Sequence, residues 1–370
     1  MAEVSRRHVL GGLGAGFALG HARGVLPRDG LDAAFPVKPK ELTLRLHRGE
    51  GERRMSFANF KGSTAEWRTA CREKLAELLG LRPPTAGPAR RVRAVDHEGV
   101  TLEAWVMDID STLTVPAYLL TPRTITRSAV MALHGHGRPE PAIGFEDDYH
   151  HEFALELARD GHLVLCPTLR GFGSLGDMAW GDEDHTLDYW ISRRGKQFTL
   201  VTDAFLHGRT LVGETVEDLL RWETWLAETK GVASIDVAGI SYGGDLAFTY
   251  PAFSRRVDRV YSSGSLGSFS VVFSRCYNAP AHAIPGVLEW MDRSDIAGLN
   301  APRPQRFHYG ELDTPGPDNN SASYNETVGP SLEELRDIYR AFGAEGRVSL
   351  EVTKGAHHEM DISDLKAFLA

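Results

Sequence analysis

A chain of 370 residues with 42% hydrophobic and 25% charged residues has the make-up of a soluble globular protein. The length fits one large domain with N-terminal additions, whose core is big enough to fold without disulfides. A formal net charge of −9, with Lys and Arg scattered along the chain, argues against a nucleic-acid partner, which needs a basic surface. The cysteines, Cys71, Cys166 and Cys276, are too far apart for a disulfide framework or a Cys-x-x-Cys metal motif.

The chain opens on Ser5-Arg6-Arg7-His8-Val9-Leu10, followed by a Gly- and Ala-rich apolar stretch to Leu19. A basic start before a short apolar core is the pattern of a signal peptide, taken here as residues 1–25 with small residues near Gly20 and Ala22 for cleavage. The paired arginines resemble a twin-arginine export signal, with Val9 where a large aromatic is usual. The expectation is a protein exported already folded, to the periplasm or the outside. The apolar run falls short of the ~20 residues that span a bilayer, so no stable membrane anchor is expected.

Residues 26–87 read as an N-terminal arm and helix. Pro, Gly and charge fill 26–60 without periodicity. Over 64–80, Trp67, Cys71, Leu75, Leu78 and Leu79 recur at helical spacing, with Ser63 placed to cap and Gly80 to stop. From residue 88 to 370 a larger domain is expected. Alternating segments at Arg91–Val95, Leu102–Val106 and Val115–Leu120 predict antiparallel strands at one edge of a sheet. Beyond them, the short apolar runs Ala129–Leu133 and Leu163–Cys166, and further expected strands at Ile235–Ala238, Val257–Tyr261, Gln305–Tyr309 and Val348–Val352, alternate with helical stretches at His151–Arg159 and Val212–Thr229. That alternation predicts a mostly parallel sheet with helices on both faces. Cys166, inside one of these runs, reads as a small buried hydrophobe. The long connections 171–210 and 264–300 are expected above the carboxyl ends of the strands, where such sheets bind ligands.

At the end of the Ile235–Ala238 run stands Gly239-Ile240-Ser241-Tyr242-Gly243-Gly244, with a helix expected from about Asp245. Small residues around a serine let a strand turn sharply into a helix, which lifts the hydroxyl clear of the sheet as a nucleophile. A serine nucleophile needs a base, and the base an orienting acid, in the order Ser, Asp/Glu, His. After the Gln305–Tyr309 strand come Gly310-Glu311-Leu312-Asp313; Asp313 is preferred over Glu311 because the Gly310 turn uses two residues before a side chain can point back over the sheet. After the last strand come His357 and His358, of which one is expected to reach Ser241. An oxyanion needs two backbone donors: Tyr242 offers one, and the turn His134-Gly135-His136-Gly137 the other, through the N–H of His136. The His134 side chain is expected to brace that turn. His150, His151 and His282 fall at no metal-ligand spacing, so neither metal nor cofactor is expected.

With these residues in place, 88–370 resembles the catalytic domain of α/β hydrolases, in the broad dienelactone hydrolase and acetyl xylan esterase group. It is similar to the acetyl xylan esterase/cephalosporin-C deacetylase family at Arg170-Gly171, at Gly239-x-Ser241-x-Gly243 and at His358-Glu359. In that family the His-Glu pair puts the catalytic histidine first, so the resemblance selects His358. Gly208–Glu214, Ile284-Pro285-Gly286 and Ala301-Pro302-Arg303-Pro304 also look like bacterial members of the group. The family usually has Gln after Arg-Gly and after the nucleophile, where this chain has Phe172 and Tyr242. The resemblance implies a serine-dependent carboxylic ester hydrolase that passes through an acyl-serine and takes small-molecule or carbohydrate esters, including acetylated carbohydrate. Phe172, Trp180, Tyr189 and Trp190 would either pack a lid or stack on a sugar face. Two other readings exist. Ser241-Tyr242-Gly243-Gly244 also looks like the elbow of prolyl oligopeptidase-type peptidases, though no propeller repeat precedes it. A silent binding protein on a hydrolase scaffold is the other, against which a complete triad argues.

Overall fold

The strands form where the apolar and alternating runs lie. They are β1 (Ala89–His97), β2 (Val100–Asp108), β3 (Thr114–Thr121), β4 (Ala129–Leu133), β5 (Leu163–Pro167), β6 (Ile235–Ile240), β7 (Val257–Ser263), β8 (Gln305–Gly310) and β9 (Val348–Thr353). The structure is a computed structural model and describes residues 53–85, 87–176, 195–272, 280–313 and 327–370, all within the unit Arg45–Ala370. The expected signal segment 1–25 lies outside the described residues, as do Cys276, Trp180, Tyr189 and Trp190.

The strands make a nine-stranded sheet in the order β1-β2-β3-β5-β4-β6-β7-β8-β9. β1, β2 and β3 pair antiparallel, and β3 docks antiparallel on β5. From β5 through β4, β6, β7 and β8 to β9 every pairing is parallel. This is the mostly parallel sheet with an antiparallel N-terminal edge that the pattern predicts. β4, β5 and β6 are buried at every residue, as strands covered on both faces must be. β1 lies at the sheet edge and carries Arg90, Arg91 and Arg93, charges that discourage pairing with another chain.

The longer helices are α1 (Thr64–Leu79), α2 (Phe153–Arg159), α3 (Gly195–Leu206), α4 (Leu211–Lys230), α5 (Tyr242–Thr249), α6 (Arg293–Gly298), α7 (Val328–Ala341) and α8 (Ile362–Leu369). Side chains alternate across the sheet. Met131, Leu133 and Leu165 therefore face one core with Trp67, Leu75, Val216, Trp222, Leu246 and Leu335 from α1, α4, α5 and α7. Val130, Ala132, Val164 and Cys166 face a second core with Phe153, Leu157, Leu365 and Leu369 from α2 and α8. Burial pushes the Cys166 thiol far above its usual range, as for an inert hydrophobe.

Ser63 caps α1 through a reciprocal capping box with Glu66, and Gly80 ends it in the left-handed region at φ 65°. The helix packs into the same core as the sheet, and the Trp67 indole N–H donates to the Met55 carbonyl at 2.9 Å. The chain departs from the sequence pattern in several places, among them helices α6, α7 and α8, which the pattern does not announce. The connection 171–210 holds α3, whose Val201 and Ala204 are buried in the core. α5 begins at Tyr242 rather than near Asp245, because the Asp245 N–H already closes the first turn on the Ser241 carbonyl at 3.1 Å. Among the described residues no helix is long and apolar enough to cross a membrane.

Candidate active site

β6 delivers Ser241 to the carboxyl edge of the sheet, and α5 carries the chain away. Ser241 has φ 57° and ψ −123°, a conformation that costs a non-glycine residue of order 1–3 kcal/mol and persists only when its surroundings impose it. Those surroundings are identifiable. The Ser241 N–H donates to Ser263 O at 2.9 Å, and the Ser265 hydroxyl donates to the Ser241 carbonyl. A side chain at Gly243 would run into the carbonyls of Leu133 and His134, so only glycine lets α5 close against β4.

On the far side, β8 ends at Gly310 and turns into Asp313, which is 1% exposed. Asp313 Oδ2 accepts from His358 Nδ1 at 2.8 Å. Gly264, at φ 66°, leaves room for this pair, since a Cβ there would lie 2.6 Å from His358 Cε1 and 3.4 Å from Asp313 Oδ2. The neighbours turn elsewhere. Glu311 Oε2 accepts from the Gly355 N–H at 2.9 Å, and His357 is exposed with its N–H donating to Glu359 at 3.0 Å. Of the acids and histidines the sequence leaves open, Asp313 and His358 are thus the two the fold pairs.

The β4 loop reaches Ser241 from the other side. His134 is fully buried and braces the loop as expected: the Leu169 N–H donates to its Nε2 at 3.2 Å, which places the proton on Nδ1, toward Gly135 O at 2.8 Å. Burial, with His150 close by, pulls this imidazole down to about 3. His150 takes the Gly135 N–H on Nε2 at 2.7 Å and holds Asp148 through Nδ1 at 2.6 Å. The His136 N–H has no acceptor among the described residues. The Tyr242 N–H, in the first turn of α5, has no acceptor within the helix.

A side chain that sequence reasoning missed reaches Ser241. His136 Nδ1 lies 3.2 Å from Ser241 Oγ. Among the described residues no hydrogen bond joins His358 to Ser241; ring nitrogens often close on the nucleophile only once substrate is bound. The Tyr149 phenol also reaches Ser241 and donates to the His136 carbonyl at 2.9 Å; burial drives it far above its usual range. Its ring lies 5.6 Å from that of His358.

The His136 ring is edge-on to Phe172 at 5.3 Å and stacked on His282 at 5.2 Å, 21° from coplanar. Phe172 is therefore a wall of the site, 4% exposed and also 5.0 Å from Tyr242. Beneath them, His282 meets Asp245, which also takes both terminal nitrogens of the buried Arg293 at 2.8 and 2.7 Å. Arg170, in the Arg-Gly pair, is also bound, by Asp218 of α4 at 2.5 and 3.1 Å.

No protein-family model matches the chain, and no curated protein sequence does. Solved structures are similar to it. A Bacteroides fragilis protein described as an acetyl xylan esterase matches with TM-score 0.65 and 17% identity, over 88% of this chain and 83% of the other. A methylesterase matches with TM-score 0.57 and 18% identity, over 91% and 67%. A glucuronoyl esterase from Solibacter usitatus matches with TM-score 0.56 and 11% identity, over 86% and 95%. Together with the sheet order and the turn at Ser241, these likenesses show that the chain has the α/β-hydrolase fold.

Proposed function

We propose that the protein is a serine-dependent carboxylic ester hydrolase. The observation that carries this reading is the backbone of Ser241, held at φ 57° between a buried strand and a helix, a strain with no use in a plain helix cap. Ser241 Oγ attacks the ester carbonyl while His358 Nε2 takes its proton. Asp313 fixes His358 with Nδ1 protonated and meets the charge that develops on the ring. The N–H groups of Tyr242 and His136 receive the oxyanion. Collapse expels the alcohol, protonated by His358, and leaves an acyl-serine that water releases by the same steps in reverse. None of these steps uses a cofactor.

The names of these similar structures, an acetyl xylan esterase, a methylesterase and a glucuronoyl esterase, support a carbohydrate or small-molecule ester as substrate. The start of the chain supports an exported protein. Ser241→Ala, assayed with a short-chain nitrophenyl ester, is expected to remove ~10⁴-fold or more of the rate. A variant as active as the parent would overturn the proposal. A panel of acetylated xylan, methyl and glucuronoyl esters then separates the substrate classes.

A further inference from the structure

We infer that the His136 imidazole is a catalytic hydrogen-bond donor, delivering its Nδ1 proton to Ser241 Oγ at rest and to the oxyanion during acyl transfer. This rests on the ester-hydrolase reading above and goes beyond the backbone N–H of the same residue.

Three features of the site support it. The first is contact: Nδ1 stands 3.2 Å from the nucleophile oxygen, which also meets the Tyr149 phenol. The second is orientation. The ring is clamped between the edge contact with Phe172 and the stack on His282, and His282 is itself anchored on Asp245 and, through it, on the bidentate Arg293. The nitrogen on Ser241 is therefore not a free rotor. The third is charge. Among the described residues no carboxylate bonds His136: Asp245 is taken by His282 and Arg293 and Asp148 by His150, whereas a proton taken up by His358 meets Asp313 at 2.8 Å. Burial among His282, His358, His134 and His150 holds His136 well below the usual histidine range. A neutral imidazole that cannot easily gain a proton can still donate the one it has.

The Ser241 Oγ–carbonyl bond forms, the carbonyl π pair becomes the oxyanion, and the Ser241 proton goes to His358. The oxyanion is geminal to Oγ on the new tetrahedral carbon, so a ring donor aimed at Oγ needs only a small shift to reach it. The hydrogen bond strengthens as charge develops, which is the condition for lowering the barrier. When the alcohol leaves, it carries away the proton from His358, and His136 keeps its own throughout.

The test compares two substitutions in the full chain. His136→Phe keeps an aromatic ring between Phe172 and His282 but removes the donor; His136→Asn places an amide N–H near the former Nδ1. With a nitrophenyl ester, His136→Phe is expected to lower kcat by about 10²–10³-fold with KM little changed, the effect of losing one oxyanion donor. His136→Asn is expected to recover most of that loss. Labelling of Ser241 by a fluorophosphonate, whose phosphoryl oxygen occupies the oxyanion position, should slow in the same order. His136→Leu answers the same question if the Phe variant does not fold. A folded Phe or Leu variant with parental kcat overturns the inference, and so does an Asn variant as impaired as the Phe variant. A parent chain that neither hydrolyses esters nor labels at Ser241 overturns the hydrolase reading itself, a result distinct from either.

Discussion

The loops that bring imidazoles to Ser241 differ in where the negative charge lies. The loop after β9 sets His358 directly on the buried carboxylate of Asp313. On the β4 side, His134 meets backbone groups, His136 meets the nucleophile, and the nearby carboxylate of Asp245 lies one ring further out, shared by His282 and Arg293. An imidazole acts as a base where the charge it acquires is met; packed among other rings it stays neutral and serves as a brace or a donor. On the proposed mechanism the same residue type does different work on the two sides of one serine, and the placement of a carboxylate decides which.

The largest expected effect tests the charged side. His358→Ala or Asp313→Asn should lower kcat by about 10³–10⁴-fold, measured on the same ester as the Ser241 variant. His357→Ala and Glu311→Gln, in side chains that turn away, should stay near the parental rate. Loss of activity in His357→Ala and its survival in His358→Ala would reverse the assignment of the base.

Next comes the carboxylate on the other side. Asp245→Ala leaves the fully buried Arg293 without its bidentate partner. Breaking a buried pair from one end costs about 3–5 kcal/mol, so urea unfolding should show a marked fall in midpoint. Asp313→Ala should cost less stability and more activity. If the two aspartates exchanged these signatures, the contrast between the loops would fail.

The smallest effect is in pH. His134 is held at about 3 in the fold, against an ordinary histidine value of 6.5 in the unfolded chain. Between those values the unfolded chain binds more protons than the folded one. Stability is therefore complete above the unfolded value and falls as pH drops below it, by up to ~1.4 kcal/mol per pH unit for this group. His136, His162 and His308 are displaced in the same direction, each with burial as the leading cause. Unfolding midpoints should drop between pH 7 and 5, less steeply in His134→Asn. A midpoint that does not change over that range would contradict the neutral brace.

Much of this arrangement is written in local chemistry. Short, mostly apolar runs between turn signals suit central strands covered on both faces, so β4, β5 and β6 are readable as such, and the glycines around Ser241 announce a turn that closes between strand and helix. Asp313 follows from the length of the Gly310 turn, and His358 from resemblance at His358-Glu359. These features depend on neighbours in the chain, which is why spacing and composition reveal them. The side chains that surround the nucleophile depend on convergence instead. Asp245 joins His282 from 37 residues away and Arg293 from 48. His136 reaches Ser241 across 105 residues. In the linear text Asp245 and Arg293 are ordinary charged residues of the kind that usually face water. His136 appears there only as a backbone donor, and Tyr149 has no stated role. Packing alone buries the pair, stacks His282 on His136 and aims one ring nitrogen at the serine, because a side chain's partner is set by which elements the sheet brings together.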